Sequence, residues 1–360
     1  MSTRVYTLPV EQTKWELPSG STTVFNWEYD EGREKLINLY EKGKRLQWNA
    51  QDRIDWSQEI DLTNPLGGPE EYVPIYGSEM YERLSEDERG ELARNMVAWQ
   101  FSQFLHGEQG ALICAAKIVQ TVPDVDSKFY AATQVIDEAR HVEAYSKYLH
   151  DKIGIAYPIN QHLKALLTDV IQDSRWDMTY LGMQVLIEGL ALAAFGLIRD
   201  VATDPLGRSI VAYVMQDEAR HVAFGRLSLR DYYPQLTQRE RDEREEFAVQ
   251  ACYLMRDRFL AEEMWRHLGF DVDEAVKYVR ECESQKMFRS LLFTRIVPML
   301  RDVGLWGPRI HNAFADMGVM GYETIDLDKV MADDENQAIE IDGARVRQVD
   351  ETIAAGAAVA

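Results

Sequence analysis

The sequence has few of the features that mark secreted, membrane-bound or dinucleotide-binding proteins. Its 360 residues include only three cysteines, Cys114, Cys252 and Cys282, and these are too scattered for a disulfide framework or a Cys-x-x-Cys metal site. No uninterrupted apolar run reaches the roughly 18 residues of a membrane span, and the first residues lack the apolar core of a signal peptide. No Gly-x-Gly-x-x-Gly fingerprint of dinucleotide binding is present. We therefore expect a cytoplasmic protein that does not cross a membrane.

Positive charge and strand-like patterns are also scarce. The chain has 39 Lys and Arg against 60 Asp and Glu, which gives a formal net charge of −21. Such an acidic chain repels polyanions, so we expect neither nucleic acid nor an anionic membrane surface as a partner. Hydrophobic residues make up 46% of the sequence, and they recur with the period of helices rather than the alternation of strands. The composition predicts a large, all-α protein.

One pattern occurs twice at a constant spacing. The segment Asp137–Val142 reads Asp-Glu-Ala-Arg-His-Val, and the same six residues return 80 positions later at Asp217–Val222. A glutamate inside an apolar run stands 30 positions before the Glu of each copy, at Glu108 and at Glu188. This regularity is hard to obtain by chance. It predicts two equivalent halves of one site.

The spacing inside each copy is that of metal ligands on a helix. Residues i and i+3 share a helix face, so each Glu-x-x-His presents a carboxylate and an imidazole to one point. Neighbouring antiparallel helices would add the two earlier glutamates, as in helical bundles that bind two irons or two manganese ions. Oxygen-rich ligands without a thiolate suit iron or manganese better than structural zinc. The predicted metal ligands are Glu108, Glu138, His141, Glu188, Glu218 and His221.

The alternative interpretation of a single Glu-x-x-His is a solvated polar helix face. The apolar residues around both copies argue against it, because an unpaired carboxylate among them would be expensive to bury. The Asp and Arg of each copy could orient the histidines, since imidazole ligands normally donate their second N–H to a carboxylate. The aspartates could each act on the His of the other copy, with the arginines as ion-pair partners; surface Asp–Arg pairs are the alternative. These predicted supporting residues are Asp137, Arg140, Asp217 and Arg220.

The doubled motif resembles that of the ferritin-like di-iron oxygenases, and most of all that of the hydroxylase subunits of bacterial multicomponent monooxygenases. The matching runs are Gly107–Ala111, which reads Gly-Glu-Gln-Gly-Ala, and Ile136–His141, which reads Ile-Asp-Glu-Ala-Arg-His. The resemblance covers about residues 85–235. It implies an all-α fold, with a ferritin-like four-helix bundle core and additional flanking helices.

The resemblance also implies a chemistry. One iron would be held by Glu108, Glu138 and His141, the other by Glu188, Glu218 and His221, with one or two carboxylates bridging. The metal pair, Fe/Fe or Mn/Fe, would use O2 to hydroxylate or N-oxygenate a small apolar or aromatic substrate. Electrons would come from a ferredoxin or a flavin reductase, since the chain has no dinucleotide fingerprint of its own. A homodimer is expected because related folds pair through their core helices.

Two positions keep an alternative function open. Leu192 stands where the hydroxylases often have a threonine, so the chain lacks that hydroxyl for proton transfer. Tyr145 stands four residues after His141, where ribonucleotide reductase small subunits keep their radical tyrosine. The alternatives are therefore a radical or ligand-binding oxidase that uses Tyr145, against a tyrosine that only packs in the core. Iron storage or ferroxidase activity is less favoured, because storage chains are usually much shorter.

A substrate pocket is predicted from helix geometry around Glu108 and Glu188. Small residues one or two turns from these glutamates, with phenylalanines as walls, would leave an apolar cavity; ordinary helix packing is the alternative. The predicted pocket residues are Phe104, Ala111, Leu112, Ala115, Gln184, Ala191, Leu192 and Phe195.

The chain divides into four predicted stretches. Residues 1–84 form an arm, a first helix over about 29–43 and loops that cover the bundle. Residues 85–235 form the di-iron core, with long helices over about 85–122, 126–153, 176–202 and 208–232, a connecting helix over about 161–172, and a turn at 204–207. Residues 236–317 add helices over about 237–268 and 271–303. Residues 318–360 are predicted to be a flexible acidic tail.

Overall fold

Helices form nearly all of the regular structure in the described part of the chain. The computed structural model describes residues 5–8, 15–26, 28–29, 32–337 and 339–340. Two short parallel strands, β1 (Val5–Tyr6) and β2 (Ile155–Ala156), are the only sheet among these residues. The N-terminal helices are α1 (Glu34–Arg45), α2 (Ala50–Arg53) and α3 (Glu79–Glu82), with a 3-10 turn at Glu70–Tyr72. The predicted all-α class is confirmed.

The first two core helices begin and end where the sequence predicts. Helix α4 (Glu86–Thr121) starts with a capping box, in which Ser85 and Glu88 bond each other's backbone N–H groups. Pro123 follows two residues after its end. Helix α5 (Val125–Lys147) is capped by Asp124 and continues as a π-helical segment (Tyr148–Ile153) that ends at Gly154, whose φ is +79°. The two helices pack along each other as an antiparallel pair.

The third long helix of the core has a π-helical middle segment. After α6 (Gln161–Gln172), the chain forms α7 (Trp176–Thr179), π-helical turns (Tyr180–Ile187) and α8 (Glu188–Val201). By length and composition alone, this stretch is the one helix in the described residues that could cross a membrane, but 83% of its most apolar part is buried inside the protein. Wider turns of this kind often occur at functional sites. Here they end at Glu188.

The fourth core helix starts earlier than predicted. Helix α9 (Pro205–Tyr232) includes most of the predicted turn at 204–207. Asp204 is its N-cap and accepts a hydrogen bond from the Gly207 N–H at 2.7 Å. Proline suits the first helical position because its missing N–H would be unpaired there anyway. The turn prediction was therefore wrong, and α9 packs against α8 and α5.

The C-terminal part is more broken than predicted. Instead of two long helices, it has 3-10 turns at Tyr233–Gln235 and Arg258–Leu260 and the helices α10 (Gln238–Asp257), α11 (Glu262–His267), α12 (Val272–Glu281), α13 (Glu283–Leu291), α14 (Ile296–Asp302) and α15 (Pro308–Asp316). The first predicted helix breaks at Ala261, whose φ is +54°, and the second breaks at the extended Cys282.

The first part of the predicted tail is helical. A 3-10 turn at Met320–Tyr322 is followed by helical residues at 327–337. Within this stretch Asp334 is buried and pairs with Arg295 at 2.7 Å. Residues 341–360, including the small-residue run at the end, lie outside the described residues. The division of the chain into four stretches stays a prediction.

Candidate metal centre

The six predicted ligands meet in the middle of the bundle. Helix α4 supplies Glu108, α8 supplies Glu188 as its first residue, and α5 and α9 each supply a Glu-x-x-His pair. All six side chains are buried, with at most 5% of any residue exposed. Their ligand atoms form two groups, each within 4.8 Å: Glu108, Glu138, His141 and Glu218, and Glu138, Glu188 and His221.

Two carboxylates lie between the two histidines. Glu138 places Oε2 at 3.4 Å from Nδ1 of His141 and Oε1 at 3.1 Å from Nδ1 of His221. Glu218 does the same, with Oε1 at 3.2 Å from His141 and Oε2 at 3.6 Å from His221. Each of these glutamates therefore offers one oxygen to each half of the site. Glu138 and Glu218 would therefore be the carboxylates able to bridge two metal ions.

The other two glutamates each belong to one half. Glu108 places Oε2 at 3.1 Å from Nδ1 of His141, and Glu188 groups with His221. The site is thus nearly symmetric. Each half has one imidazole, one carboxylate of its own and the shared Glu138, whereas Glu218 groups with His141 and lies farther, at 3.6 Å, from Nδ1 of His221. The repeat at 80 positions is thus nearly reproduced in space.

The chemistry of this donor set fits two divalent cations. Both oxygens of Glu218, one oxygen each of Glu138 and Glu188, and Nδ1 of His221 have no hydrogen-bond partner among the described residues. Buried polar atoms without partners are rare and costly. Burial raises the pKa of Glu108 and of Glu188 well above the ordinary value, and repulsion from Glu218 adds to this. Together the four glutamates could supply the negative charge that two divalent ions would neutralise.

The aspartate of each motif lies beside the histidine of the other motif. Asp217 lies 3.0 Å from Nε2 of His141, and Asp137 lies 3.3 Å from Nε2 of His221. Arg140 donates hydrogen bonds to both aspartates, with 2.9 Å to Asp217, and Arg220 pairs with both as well. Burial alone would raise the pKa of Asp217, but attraction to Arg220 and the hydrogen bond with His141 hold it far below the ordinary value. Asp217 is therefore an ionised acceptor for His141, and Asp137 lies in the equivalent place beside His221.

Gln47 and Trp48, which precede the core helices, also contact these aspartates, and the sequence did not predict these contacts. Gln47 donates to Oδ1 of Asp137 at 2.7 Å and accepts from Arg140 at 2.7 Å. Trp48 donates its indole N–H to Oδ2 of Asp217 at 2.8 Å, and its ring lies 4.8 Å from the Arg140 guanidinium. The sequence showed only an aromatic-rich stretch, which predicted a covering loop but not contacts with the site.

Gln134 is a further residue that the sequence did not reveal. It lies fully buried one helical turn before Glu138. Its amide donates to Oε1 of Glu138 at 3.0 Å and to Oε1 of Glu188 at 2.9 Å. The equivalent position in the second copy is Val214, so only one half of the site has this amide. The offset of 80 positions could have drawn attention to this difference.

A small cavity lies against the carboxylates. Its lining residues are Gln103, Phe104, Gly107, Glu108, Ala111, Met183, Ile187, Glu188, Ala191, Phe195, Glu218 and Arg258. Four predicted pocket residues line it, namely Phe104, Ala111, Ala191 and Phe195, and four do not, namely Leu112, Ala115, Gln184 and Leu192.

The positions of the other four residues explain why they do not line the cavity. Leu112 is partly exposed on the outer side of α4, whereas Ala115 and Leu192 are buried elsewhere in the core. Gln184 lies in the π-helical segment, and its Cβ packs against Gly225 of α9. The wider turns rotate the residues before Glu188 away from regular α-helical positions, which brings Met183 and Ile187 to the cavity instead.

Tyr145 lies behind the cavity wall. Its ring packs against Phe104 and Phe195, with centroid distances of 5.8 and 6.1 Å. Its hydroxyl is buried and has no hydrogen-bond partner among the described residues. Burial, with the nearby glutamates, raises its pKa well above the ordinary value. The tyrosine is therefore a neutral phenol packed among aromatic rings.

Comparison with known proteins identifies the family. The family model described as p-aminobenzoate N-oxygenase AurF matches residues 30–304, which is more than half of the chain. The chain belongs to the AurF family. This is a family of ferritin-like di-iron oxygenases, so the predicted ferritin-like superfamily, the di-iron cofactor and the oxidoreductase class are confirmed. No curated protein sequence matches the chain.

Solved structures similar to this AurF family member include variants of an R2-like ligand-binding oxidase. A glycine-to-phenylalanine variant with a reconstituted Mn/Fe cofactor is 21% identical, with 78% of this chain and 97% of that chain covered and a TM-score of 0.48. A glycine-to-leucine variant with the same kind of cofactor is 19% identical, with 79% and 100% covered and a TM-score of 0.48.

Proposed function

We propose that this chain uses O2 and two irons to N-oxygenate, or else hydroxylate, a small aromatic or apolar molecule. The observation that carries the proposal is the pair of glutamates, Glu138 and Glu218, that lie between two histidines, next to a small cavity with a largely apolar wall. Membership of a family described by an N-oxygenase supports the N-oxygenation of an aromatic amine as the first reaction to test.

The described residues would hold the metals and tune them. The four glutamates and two histidines would be the ligands, and the bound metal pair would supply the activation of O2. Asp137 and Asp217 accept the Nε2–H of the opposite histidine, which leaves the lone pair of Nδ1 of each ring to bind a metal ion held between it and the carboxylates. Phe104, Ala191 and Phe195 would exclude water and place the substrate beside the glutamates.

We propose three further features that follow from the charge and surface of the chain. Electrons would come from a separate ferredoxin or flavin reductase, since the sequence has no dinucleotide fingerprint. A homodimer would cover exposed apolar residues on the outer face of α4 and α5, where Ile113, Phe129 and Ile136 are 46%, 39% and 57% exposed. The composition and the few cysteines support a cytoplasmic location.

The experiment is metal analysis of iron-loaded protein beside Glu138→Ala and His221→Ala. We expect two irons per chain and at most one in each variant. With a chemical reductant supplying the electrons, we expect O2 consumption with p-aminobenzoate as the amine probe in the unaltered protein alone. Gln109→Ala, an exposed change on α4 next to Glu108, is the matched control and should retain both irons. Full metal content in both ligand variants would refute the proposed site. Two irons without oxidation of any aromatic amine or hydrocarbon tested would refute the proposed reaction.

A further inference from the structure

The cavity beside the glutamates is too small for the proposed substrate. Its volume is about 20 Å³, which holds about one water molecule, whereas a benzene ring needs a cavity of roughly 150 Å³. Met183, Phe195 and Arg258 in its lining are at most 5% exposed. A ring can therefore reach the glutamates only if part of this lining moves.

A much larger cleft begins one helical turn away from this cavity. Its volume is about 1130 Å³, and it lies between the loop at 63–74, the first half of α4, the end of α8 and α13. On α4, Gln100 lines the cleft and Gln103 lines the cavity. On α8, Ile198 lines the cleft and Phe195 lines the cavity. Residues three apart on a helix are neighbours, so the two spaces follow one another along the same pair of helices.

Two consecutive residues, Arg258 and Phe259, form part of the boundary between these spaces. Arg258 lines the cavity and Phe259 lines the cleft, and the guanidinium carbon lies 5.1 Å from the centroid of the Phe259 ring. The same ring packs against two aromatic residues of the cleft, with centroid distances of 6.5 Å to Trp99 and 5.5 Å to Phe288. At this point the cleft and the cavity are therefore divided by a pair of side chains in contact.

The boundary lies in a segment where the helical structure is interrupted. Arg258–Leu260 is a 3-10 turn between α10 and α11, and Ala261, which also lines the cleft, has a φ of +54°. A β-carbon makes this conformation unfavourable, and movements in proteins concentrate in such short segments between elements. Nε of Arg258 has no hydrogen-bond partner among the described residues, and the cleft gives the Phe259 ring room to rotate. We expect these two side chains to move more easily than those of the surrounding helices.

We propose that the cleft is the entrance through which the substrate reaches the metal centre, and that Arg258 and Phe259 move aside to admit it to the cavity. The lining of the cleft includes large apolar residues such as Trp99, Leu197 and Phe288, which would hold an aromatic ring or a short aliphatic chain. This inference rests on the proposed function of the metal centre.

The charge of the cleft favours uncharged molecules over anions. Its lining includes four exposed carboxylates and one partly exposed arginine, namely Glu70, Glu71, Glu86, Asp87 and Arg89. Because like charges repel, an anion would be slowed on entry. The class of substrate that enters most readily is therefore a small, uncharged aromatic molecule, and aniline is the probe for the test.

The test closes the cleft reversibly in iron-loaded protein that is kept free of O2. Ala93 lines the cleft from α4. In a Cys282→Ser background, which leaves only the buried Cys114 and Cys252, Ala93→Cys is labelled with benzyl methanethiosulfonate and released again with dithiothreitol. Ala116→Cys is the matched control, because Ala116 is an exposed alanine of the same helix that lines neither space. Stopped-flow fluorescence gives the association and dissociation rate constants of aniline, and iron content is measured in parallel.

A blocked entrance slows arrival and departure alike. We expect the label on Ala93→Cys to lower both rate constants about tenfold or more and to change the dissociation constant by less than about threefold. Dithiothreitol should restore both rate constants, and the label on Ala116→Cys should change neither. Phe259→Leu makes the boundary thinner and should raise both rate constants, whereas Phe270→Leu, which alters an aromatic residue outside the cleft, should not.

Unchanged rate constants in the labelled Ala93→Cys protein would overturn the inference. The substrate would then enter elsewhere, for example past Gly107, where an added β-carbon would meet no atom within 4 Å. A larger dissociation constant with faster dissociation would also overturn it, because the label would then act by distorting the cavity. Unchanged rate constants in Phe259→Leu would refute the role of the boundary. Failure of the proposed function looks different: the unaltered protein would lack iron, would not bind aniline, or would bind it without oxidising it once O2 and a reductant are added.

Discussion

Replacing Gln134 with valine should weaken one half of the metal centre and spare the other. The substitution gives the first motif the residue that the second motif has at Val214. It removes the hydrogen bonds to Glu138 at 3.0 Å and Glu188 at 2.9 Å. A hydrogen bond to an ionised group contributes about 1.5–3 kcal/mol, and losing a partner of a metal ligand costs about 10–100-fold in affinity. That factor equals about 1.4–2.7 kcal/mol, so the loss of the two hydrogen bonds is sufficient to account for it.

The assay is an anaerobic titration with Fe(II) in competition with a chromogenic chelator. We expect the affinity of the half with Glu188 and His221 to fall about 10–100-fold, while the half with Glu108 and His141 changes by less than about twofold. His141→Ala and His221→Ala assign the two steps of the titration. Val214→Ala is the control for packing, since it opens space one turn before Glu218 without removing a hydrogen bond.

Two results of this titration would contradict the prediction for Gln134. Equal weakening of both steps would mean that Gln134 acts through the packing of the bundle rather than through Glu188. No weakening of either step would mean that the amide does not orient the ligands at all. Either finding would refute the reasoning, provided that Val214→Ala binds both ions normally.

Three other predictions concern the metal-free protein and the cavity. Burial raises the pKa of Glu108 and of Glu188, so folding takes up protons. The metal-free protein should therefore lose stability as the pH rises above the ordinary pKa of glutamate, about 4.3; calorimetric scans should show this slope, and Fe(II) should remove it. Tyr145→Phe removes a hydroxyl that has no hydrogen-bond partner among the described residues. It should change the free energy of unfolding by less than about 1 kcal/mol and leave O2 consumption unchanged. A tyrosyl radical that electron paramagnetic resonance detects in the unaltered protein and not in the variant would contradict this. Ala191→Leu should fill the cavity and lower turnover about tenfold or more at full iron content. Leu112→Ala, outside the cavity, is the control and should not lower it. Normal turnover in Ala191→Leu would show that the substrate lies elsewhere.

The sequence alone predicted the parts of the site that depend on helix periodicity. Glu138 and His141 share a face because they are three residues apart, and the offset of 80 positions made the second pair its equivalent. The long core helices followed from caps and breakers, such as Ser85 with Glu88 and Pro123. These signals are local, so they can be recognised without knowing which helices pack together.

The tertiary structure decided what depends on contacts between distant segments. Gln47 and Trp48 reach the aspartates from outside the motifs, and no local pattern marks such a contact. The π-helical turns before Glu188 changed which residues line the cavity, because a wider turn rotates the side chains that precede it. The break at Ala261 placed Arg258 at the cavity although its neighbours read as regular helix. Helix periodicity therefore determined the predicted metal ligands, whereas packing determined the residues that contact them and the lining of the cavity beside them.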